Sequence, residues 1–332
     1  MKKTSTIICL AILTLFVSCK KSMNSEEINE KTSSGVVLIM NYFYYSVSIP
    51  GGEDIYFTGV DESGQLKGLT YDEAEAWNNC SGCTGTGFFI SPDGQIMTNR
   101  HVVRPEVGED IVKSFLRSYK KAMKGIYQEK MSQLETQYYS YADDAHTQQQ
   151  IALRYKQYSE LLQRIDDTDM SEAEFETHSK ISIAYNGSHV AKAEDFKSCS
   201  IVAVSEEENL DLAIIQLDEG ETPEGKYVFS LKDEDETLTL DQKLYMIGYN
   251  QGFTISKTAQ GIQSQIYSGN VTQKSDGEKI LYSIPSLPGS SGSPVVDEYG
   301  DLVAVNFAGF QGTQGFNYGI PSKRIRQFLK DN

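Results

Sequence analysis

Two kinds of sequence alternate along the chain, and their order restricts the fold more than any other feature does. Short segments rich in β-branched and aromatic residues, separated by glycines and polar turns, occupy residues 35–49, 84–103 and most of 179–320. Such segments predict β-strands, and their regular spacing is typical of a barrel or a sandwich. Residues 108–167 contain no proline, and their apolar residues recur every three or four positions, which predicts helix. We therefore expect an all-β protein with one helical insertion.

The insertion is expected to cover about residues 106–168 and to form an antiparallel helical hairpin whose two apolar seams pack on each other. Asp143 and Asp144 mark the predicted break between its helices. The final segment, PSKRIRQFLK, starts with proline and places Ile325, Phe328 and Leu329 on one face, which predicts a closing helix.

The first residues have the proportions of a signal peptide, predicted over 1–18. Lys2 and Lys3 precede a short apolar run that ends in LFVSC. This ending resembles a bacterial lipobox and predicts that Cys19 is lipidated; the alternative is an ordinary signal peptide with an incidental cysteine. Residues 19–34 are then a polar tether, and the protein is exported and held by its lipid on the cell envelope, at the periplasmic face or the outer-membrane surface. The net charge of −16 disfavours nucleic acid as a partner.

Five cysteines are present, of which Cys80, Cys83 and Cys199 lie beyond the predicted lipidation site. Export permits disulfides, and Cys80 and Cys83 could close a tight local loop that leaves Cys199 free. No histidine stands at ligand spacing near this pair, which disfavours zinc. A redox role for the pair stays open, although a thioredoxin-like CxxC opens a helix and this one runs into an expected strand.

Three sequence blocks occur in a fixed order: TGTGFFISPDGQIMTNRHVV, DLAIIQL and PGSSGSPVV. Together they resemble the signature blocks of chymotrypsin-fold serine proteases, in particular the bacterial HtrA/Deg branch. The resemblance covers about residues 35–104 and 179–330. It implies two Greek-key β-barrels, the first from residues 35–104 and 179–220 and the second from 225–320, within a protease domain spanning 35–332. The chain ends soon after the second barrel, so the PDZ domains of many relatives are not expected.

The resemblance implies a catalytic triad in which His101 is the general base, Asp211 its orienting carboxylate and Ser291 the nucleophile. A serine hydroxyl is a poor nucleophile at neutral pH, so an imidazole must take its proton, and a carboxylate must orient that imidazole. The backbone N–H groups of Gly289 and Ser291 would form the oxyanion hole. No metal or cofactor is implied.

Two departures from the family pattern carry expectations of their own. Trypsin-like zymogens have an aspartate just before the nucleophile that pairs with a newly cut N-terminus; here Ser290 stands there, so no activation by N-terminal insertion is expected. The base of the primary substrate pocket falls at Pro285, with Asn306 and Ala308 assigned to the same pocket. Because no charge stands at position 285, small or medium apolar side chains are the expected preference.

The sequence thus predicts a lipid-anchored serine endopeptidase that hydrolyses unfolded or surface-exposed polypeptides through an acyl-enzyme. The alternative is an inactive, protease-like binding protein that uses its tyrosine-rich helical insertion to contact a protein partner. The insertion leaves the first barrel close to His101, so it either shades the cleft, binds a partner or is a tolerated surface addition.

Overall fold

The computed structural model describes residues 21–231, 238–309 and 317–332. Its strands, in chain order, are β1 (Val36–Ser48), β2 (Ile55–Phe57), β3 (Gly59–Val60), β4 (Leu66–Lys67), β5 (Ser81–Phe89), β6 (Gln95–Thr98), β7 (Glu174–Tyr185), β8 (Lys197–Val204), β9 (Ala213–Leu217), β10 (Lys243–Gly248), β11 (Lys257–Thr258), β12 (Gly261–Ile262), β13 (Gln265–Gln273), β14 (Ile280–Tyr282), β15 (Pro294–Val296), β16 (Leu302–Gly309) and β17 (Asn317–Pro321). Its helices are α1 (Ser25–Thr32), α2 (Glu73–Asn78), α3 (Arg100–Val103), α4 (Glu109–Ser140), α5 (Ala145–Asp167), α6 (Phe253–Ser256) and α7 (Ser322–Asp331).

The strands form two closed antiparallel barrels with the same connectivity. In the first, the order is β1-β5-β6-β9-β8-β7, closed by pairing of β7 with β1. In the second, the order is β10-β13-β14-β17-β16-β15, closed by pairing of β15 with β10. If the strands of each barrel are numbered from one to six, both orders read 1-2-3-6-5-4, which is a Greek-key arrangement. The predicted chymotrypsin-like double barrel with helical additions is confirmed.

Strand β1 explains how the two barrels pack together. Its alternate residues face opposite sides, as in any strand. Val37 and Ile39 point into the core of the first barrel, whereas Val36 and Leu38 join a larger cluster that includes Tyr249 of the second barrel. Both faces of β1 are therefore buried, which is why residues 35–49 are almost continuously apolar instead of alternating with polar residues.

The helical hairpin forms as predicted, from α4 and α5. Asp144 caps α5 by accepting the N–H groups of its first turn, so the predicted break coincides with a helix start. The helices contact each other through Tyr127 and Tyr158, whose ring centroids lie 5.7 Å apart. At the base of the hairpin, Val112 and Leu116 of α4 pack in one apolar cluster with aromatic residues of β1. The hairpin thus rests on the end of β1 that extends beyond the barrel.

The segment before the first barrel differs from the predicted polar tether. Asn24 forms a capping box with Glu27 at the start of α1, and Ile28 of that helix is fully buried in the core cluster shared by the barrels. The Met23 N–H donates to the carbonyl of Glu298 in the second barrel, 2.7 Å away. Two buried residues, Ile28 and Thr32, are enough to dock this otherwise polar helix, which is why its composition indicates a polar tether.

Residues 1–20, with the predicted signal peptide and Cys19, lie outside the described part of the chain. Among the described residues, none of the helices combines the length and apolar character needed to cross a bilayer.

The predicted Cys80–Cys83 disulfide is wrong: both thiols are free in the structure, as is that of Cys199. Cys83 lies inside β5 and Cys80 directly precedes that strand. Three residues of strand span roughly 10 Å, whereas a disulfide joins Cα atoms at most about 7 Å apart. The Cys83 thiol instead donates to the carbonyl of Val102, 3.6 Å away.

The free, partly buried thiols lead to a measurable expectation. Burial raises the pKa of Cys83 to about 11, and burial together with Asp218 and Glu219 raises the pKa of Cys199 to about 12. Because only the thiolate reacts, we expect native Cys83 to be alkylated about 10²-fold more slowly than an unperturbed thiol at mildly alkaline pH, and faster as pH rises. Iodoacetamide treatment followed by peptide mapping measures this directly.

The same experiment in denaturant tests whether Cys80 and Cys83 are bridged. All three thiols should then react fully without any reductant. If Cys80 and Cys83 reacted only after reduction, the pair would be bridged, which would contradict the free thiols of the structure.

Candidate active site

His101 lies on the four-residue helix α3, and not on a continuing strand as the segment QIMTNRHVV predicts. Strand β6 ends at Thr98, and the chain turns into α3 two residues later. The buried side chain of Asn41, on β1, determines where this helix ends: its Nδ2 donates to the carbonyls of Val102 (2.9 Å) and Val103 (3.1 Å). Because the last carbonyls of a helix have no partner within it, this amide stabilises the turn that carries His101.

Asp211 contacts His101 at two points. Its Oδ2 lies 2.6 Å from the imidazole Nδ1, and its Oδ1 accepts the His101 backbone N–H at 3.0 Å. The Asn99 side chain donates to the carbonyl of Asp211 at 2.7 Å. The carboxylate side chain is 19% exposed, against 48% for the imidazole. This arrangement orients the ring, makes Nδ1 the protonated nitrogen and leaves Nε2 at the solvent side to accept a proton.

Ser291 lies in a tight loop, residues 288–292, called here the serine loop. Two positions of this loop can be occupied only by glycine. Gly289 and Gly292 have φ angles of +96° and +86°. A Cβ at Gly289 would lie 2.3 Å from the carbonyl oxygen of Tyr249, and one at Gly292 would lie 2.1 Å from that of Thr86. Positive φ and close backbone approach both exclude larger residues here. The stretch PGSSGSP is thus a packed turn and not a flexible linker.

Strand β5 contacts both the serine loop and the helix that carries His101. Thr86 donates its N–H to the carbonyl of Ser291 (2.8 Å) and its hydroxyl to that of Gly289 (2.8 Å). The preceding residue, Gly85, faces Val102, beside His101, so closely that a Cβ there would lie 2.5 Å from it. One short piece of β5 therefore contacts both halves of the site. Within the described residues, no hydrogen bond joins Ser291 to His101, so the structure pairs His101 with Asp211 and places Ser291 in its loop without that contact.

The peptide groups of the serine loop are oriented by their carbonyls. The Pro288 carbonyl accepts the Gln251 N–H at 2.6 Å, and the Ser290 carbonyl accepts the Asn306 amide at 3.0 Å. In a trans peptide the N–H points away from the carbonyl, so these contacts direct the N–H groups of Gly289 and Ser291 to the opposite side. Neither N–H has an acceptor among the described residues. Both are free to bind a developing negative charge.

Gln251, whose N–H binds the Pro288 carbonyl, has an unusual backbone conformation. Its φ is +61°, which costs a residue other than glycine about 1–3 kcal/mol. The neighbouring Asn250 accepts the N–H of Leu287 at 3.3 Å through its side chain. The turn at residues 249–252 thus contacts residues 287 and 288 through two successive residues. The strained backbone of Gln251 makes one of these two contacts.

A neutral network surrounds Ser290, in the place where the zymogen pattern would have an aspartate. The Ser290 hydroxyl lies 2.7 Å from that of Ser286 and donates to the carbonyl of Leu287 at 2.7 Å. The Asn306 amide contacts both hydroxyls, and its Oδ1 accepts the Tyr282 hydroxyl at 2.8 Å. Among the residues that the structure describes, uncharged groups hold the loop in this conformation.

The structure describes the side chains of two of the three residues assigned to the substrate pocket, Pro285 and Asn306. Pro285 is exposed, whereas Asn306 is buried and its amide is occupied by the network around Ser290. Ala308 lies in β16, and its side chain is outside the described part of the structure. Asn306 therefore holds the serine loop through its side-chain amide. In the described ranges, no three His, Cys, Asp or Glu side chains cluster in an arrangement that would hold a metal.

Sequence reasoning missed Asn41, Thr86 and Gln251. A single asparagine in the apolar strand β1 was a usable signal, because a buried amide needs partners. Thr86 stands inside the quoted TGTG block but has no chemistry that singles it out. Gln251 gave no signal, since its contact is made by its backbone.

Comparisons with known proteins agree with this geometry in part. Residues 166–305 match the family model of the trypsin-like peptidase domain. That range contains Asp211 and Ser291 but not His101, which the helical insertion separates from it. None of the curated protein sequences matches the chain.

Among solved structures, the serine endoprotease from Yersinia pestis is similar, with 12% sequence identity and a TM-score of 0.47. The match covers 93% of this chain and 66% of that one, so the chain spans less than two thirds of the relative's length. The chain is thus similar to trypsin-like peptidases in the part of its sequence that holds Asp211 and Ser291.

Proposed function

We propose that this protein is a serine endopeptidase in which Ser291, His101 and Asp211 form the catalytic triad. The observation that carries the proposal is the double contact of Asp211 with His101, at 2.6 and 3.0 Å. It leaves the imidazole oriented for general-base catalysis. The serine loop supplies the nucleophile, Ser291, and the two N–H groups without an acceptor, those of Gly289 and Ser291, supply the oxyanion site.

The proposed reaction proceeds in two halves. The Ser291 oxygen attacks the scissile carbonyl while His101 Nε2 takes the hydroxyl proton, and the N–H groups of Gly289 and Ser291 bind the oxyanion. The imidazolium, stabilised by Asp211, then gives its proton to the leaving amine, which produces an acyl-enzyme. Water attacks the acyl group through the same base and releases Ser291. The missing Ser291–His101 hydrogen bond is consistent with a substrate-free site, where such contacts are often long.

The substrates would be unfolded or surface-exposed polypeptides. The proposal includes a relation to the HtrA/Deg branch, which rests on the three sequence blocks around His101, Asp211 and Ser291. It also includes lipidation of Cys19 and attachment to the cell envelope, which rest on the N-terminal sequence. If Cys19 carries a lipid, only three residues separate it from Met23, whose N–H contacts the second barrel. The enzyme would then lie close to the membrane surface.

A second candidate is an inactive protein that binds a partner through the helical insertion. Tyr139, near the turn of the hairpin, is 78% exposed, and Tyr138 and Tyr141 beside it are exposed as well. Aromatic side chains at such exposure are enriched in protein interfaces. The two candidates differ in whether Ser291 reacts.

The test is labelling of the full chain by a fluorophosphonate probe, which reacts with a serine activated by a base. We expect the wild-type protein to be labelled and the variants Ser291→Ala and His101→Ala to remain unlabelled. Ser286→Ala is not a suitable control because Ser286 contacts Ser290; Ser63→Ala, on an exposed turn, should label like the wild type. A folded wild-type protein that is never labelled would contradict the proposal and favour the binding candidate.

A further inference from the structure

The loop that carries Asp211 is short and lacks regular structure. It connects β8 to β9 through residues 205–212. Within it, Ser205 donates its N–H to the carbonyl of Leu212 (3.0 Å), and Leu210 donates to that of Glu207 (3.1 Å). The carbonyls of Ser205 and Glu208 accept neither of these bonds, and the Glu207 carbonyl accepts one of them; all three oxygens face the same neighbouring group.

That group is the guanidinium of Arg100. Its Nη1 donates to the carbonyls of Ser205 (3.1 Å) and Glu207 (2.8 Å), and its Nη2 donates to that of Glu208 (3.1 Å). The Arg100 side chain is only 16% exposed, and its Nε lies 3.4 Å from a carboxylate oxygen of Glu106. A planar guanidinium offers several donors in a fixed fork, so one side chain determines the relative position of three carbonyls.

Both sides of this contact are adjacent to the triad. Arg100 directly precedes His101, and only two residues separate Glu208 from Asp211. The Glu207 carbonyl is shared between Arg100 and the N–H of Leu210, the residue before Asp211. A shift of the Arg100 head would therefore move the turn on which the carboxylate is carried.

We propose that Arg100 is a positioning residue that aligns the Asp211 carboxylate with His101 by binding the backbone carbonyls of the loop at residues 205–208. It touches neither substrate nor a reacting atom, and its role rests on the proposed function of the triad. The Glu207 carboxylate does not compete for Arg100, since it pairs with Arg324 of α7 on the other side. Arg324 also contacts Glu278 at 3.2 Å, so the loop is fixed from both barrels.

The experiment compares Arg100→Ala and Arg100→Lys with wild type in the full chain. We expect Arg100→Ala to lower kcat for a peptide substrate by about 10²-fold with little change in KM, because the loss is one of alignment and not of substrate binding. Arg100→Lys should keep an intermediate activity, since an ammonium retains the charge and three donors but not the fork. Added guanidinium ion at low concentration should restore part of the activity of Arg100→Ala only.

A proton NMR measurement tests the same idea without any substrate. The His101 Nδ1 proton, shared with Asp211 over a short charge-assisted hydrogen bond, should resonate far downfield in wild type. We expect that resonance to be lost or broadened in Arg100→Ala and to persist in Arg100→Lys. Arg154→Ala, at an exposed position of α5, serves as the matched control and should behave as wild type. Thermal unfolding identifies any variant that fails to fold, in which case Arg100→Lys decides.

Folded Arg100 variants with unchanged kcat and an unchanged downfield resonance would overturn the proposal. If wild type shows the resonance but neither hydrolyses peptides nor reacts with the probe, the proposed function fails while the resonance still tests the role of Arg100. If Arg100→Lys loses as much activity as Arg100→Ala and guanidinium restores nothing, Arg100 acts through general stability of the barrel and the positioning role is rejected.

Discussion

Asp211→Asn should lower kcat by about 10⁴-fold while leaving the fold intact. The two side chains have nearly the same shape, but an amide presents one oxygen and one NH₂ group. If its oxygen accepts the His101 backbone N–H, which Asp211 Oδ1 accepts at 3.0 Å, its NH₂ group must face Nδ1. Nδ1 would then have to accept, Nε2 would carry the proton, and the imidazole could no longer act as a base toward Ser291.

The measurement is steady-state hydrolysis of a peptide substrate together with the rate of labelling by the fluorophosphonate probe. Asp218→Asn is the matched control, because Asp218 also lies on the first barrel and accepts a hydroxyl, from Ser200 at 2.8 Å, away from the triad. It should retain wild-type rates. If Asp211→Asn kept activity within tenfold of wild type, His101 would be oriented by something other than Asp211.

Gly289→Ala should lower kcat by about 10²–10³-fold, the typical loss of one oxyanion donor. The added Cβ would lie 2.3 Å from the carbonyl oxygen of Tyr249 and 2.5 Å from the backbone nitrogen of Gly252. Neither backbone atom can move aside as a flexible side chain could. The loop must shift instead, and the Gly289 N–H moves with it. Hydrolysis kinetics and the melting temperature of the variant measure the two consequences separately.

A matched control separates steric displacement from the cost of positive φ. Gly277 has a φ of +92°, close to that of Gly289, but no heavy atom lies within 4 Å of where its Cβ would be. Gly277→Ala should therefore lose a similar amount of stability to backbone strain, yet keep wild-type kcat. Equal losses of kcat in both variants would show that strain alone, and not the position of the N–H, explains the effect.

The parts of the fold that could be predicted are those with a local signal. Strand and helix periodicities are properties of neighbouring residues, so β1 and the hairpin of α4 and α5 were expected close to their observed bounds. The segment around His101 was not, because TNRHVV has the composition of a strand while its helical turn depends on Asn41, sixty residues earlier in the chain. The docking of α1 through Ile28 likewise depends on the core that receives it.

The sequence by itself determined the order of His101, Asp211 and Ser291, the two-glycine loop around the serine, and the place of the helical insertion. These are matters of residue type and spacing, and residue types alone restrict which chemistry and which backbone angles are allowed. Only the tertiary structure decided that the Asn306 amide holds the serine loop, that Cys80 and Cys83 stay apart, and that Arg100 contacts the carbonyls before Asp211. Each of these depends on groups far apart in the chain, and a hydrogen bond of about 3 Å requires a position that no local pattern encodes.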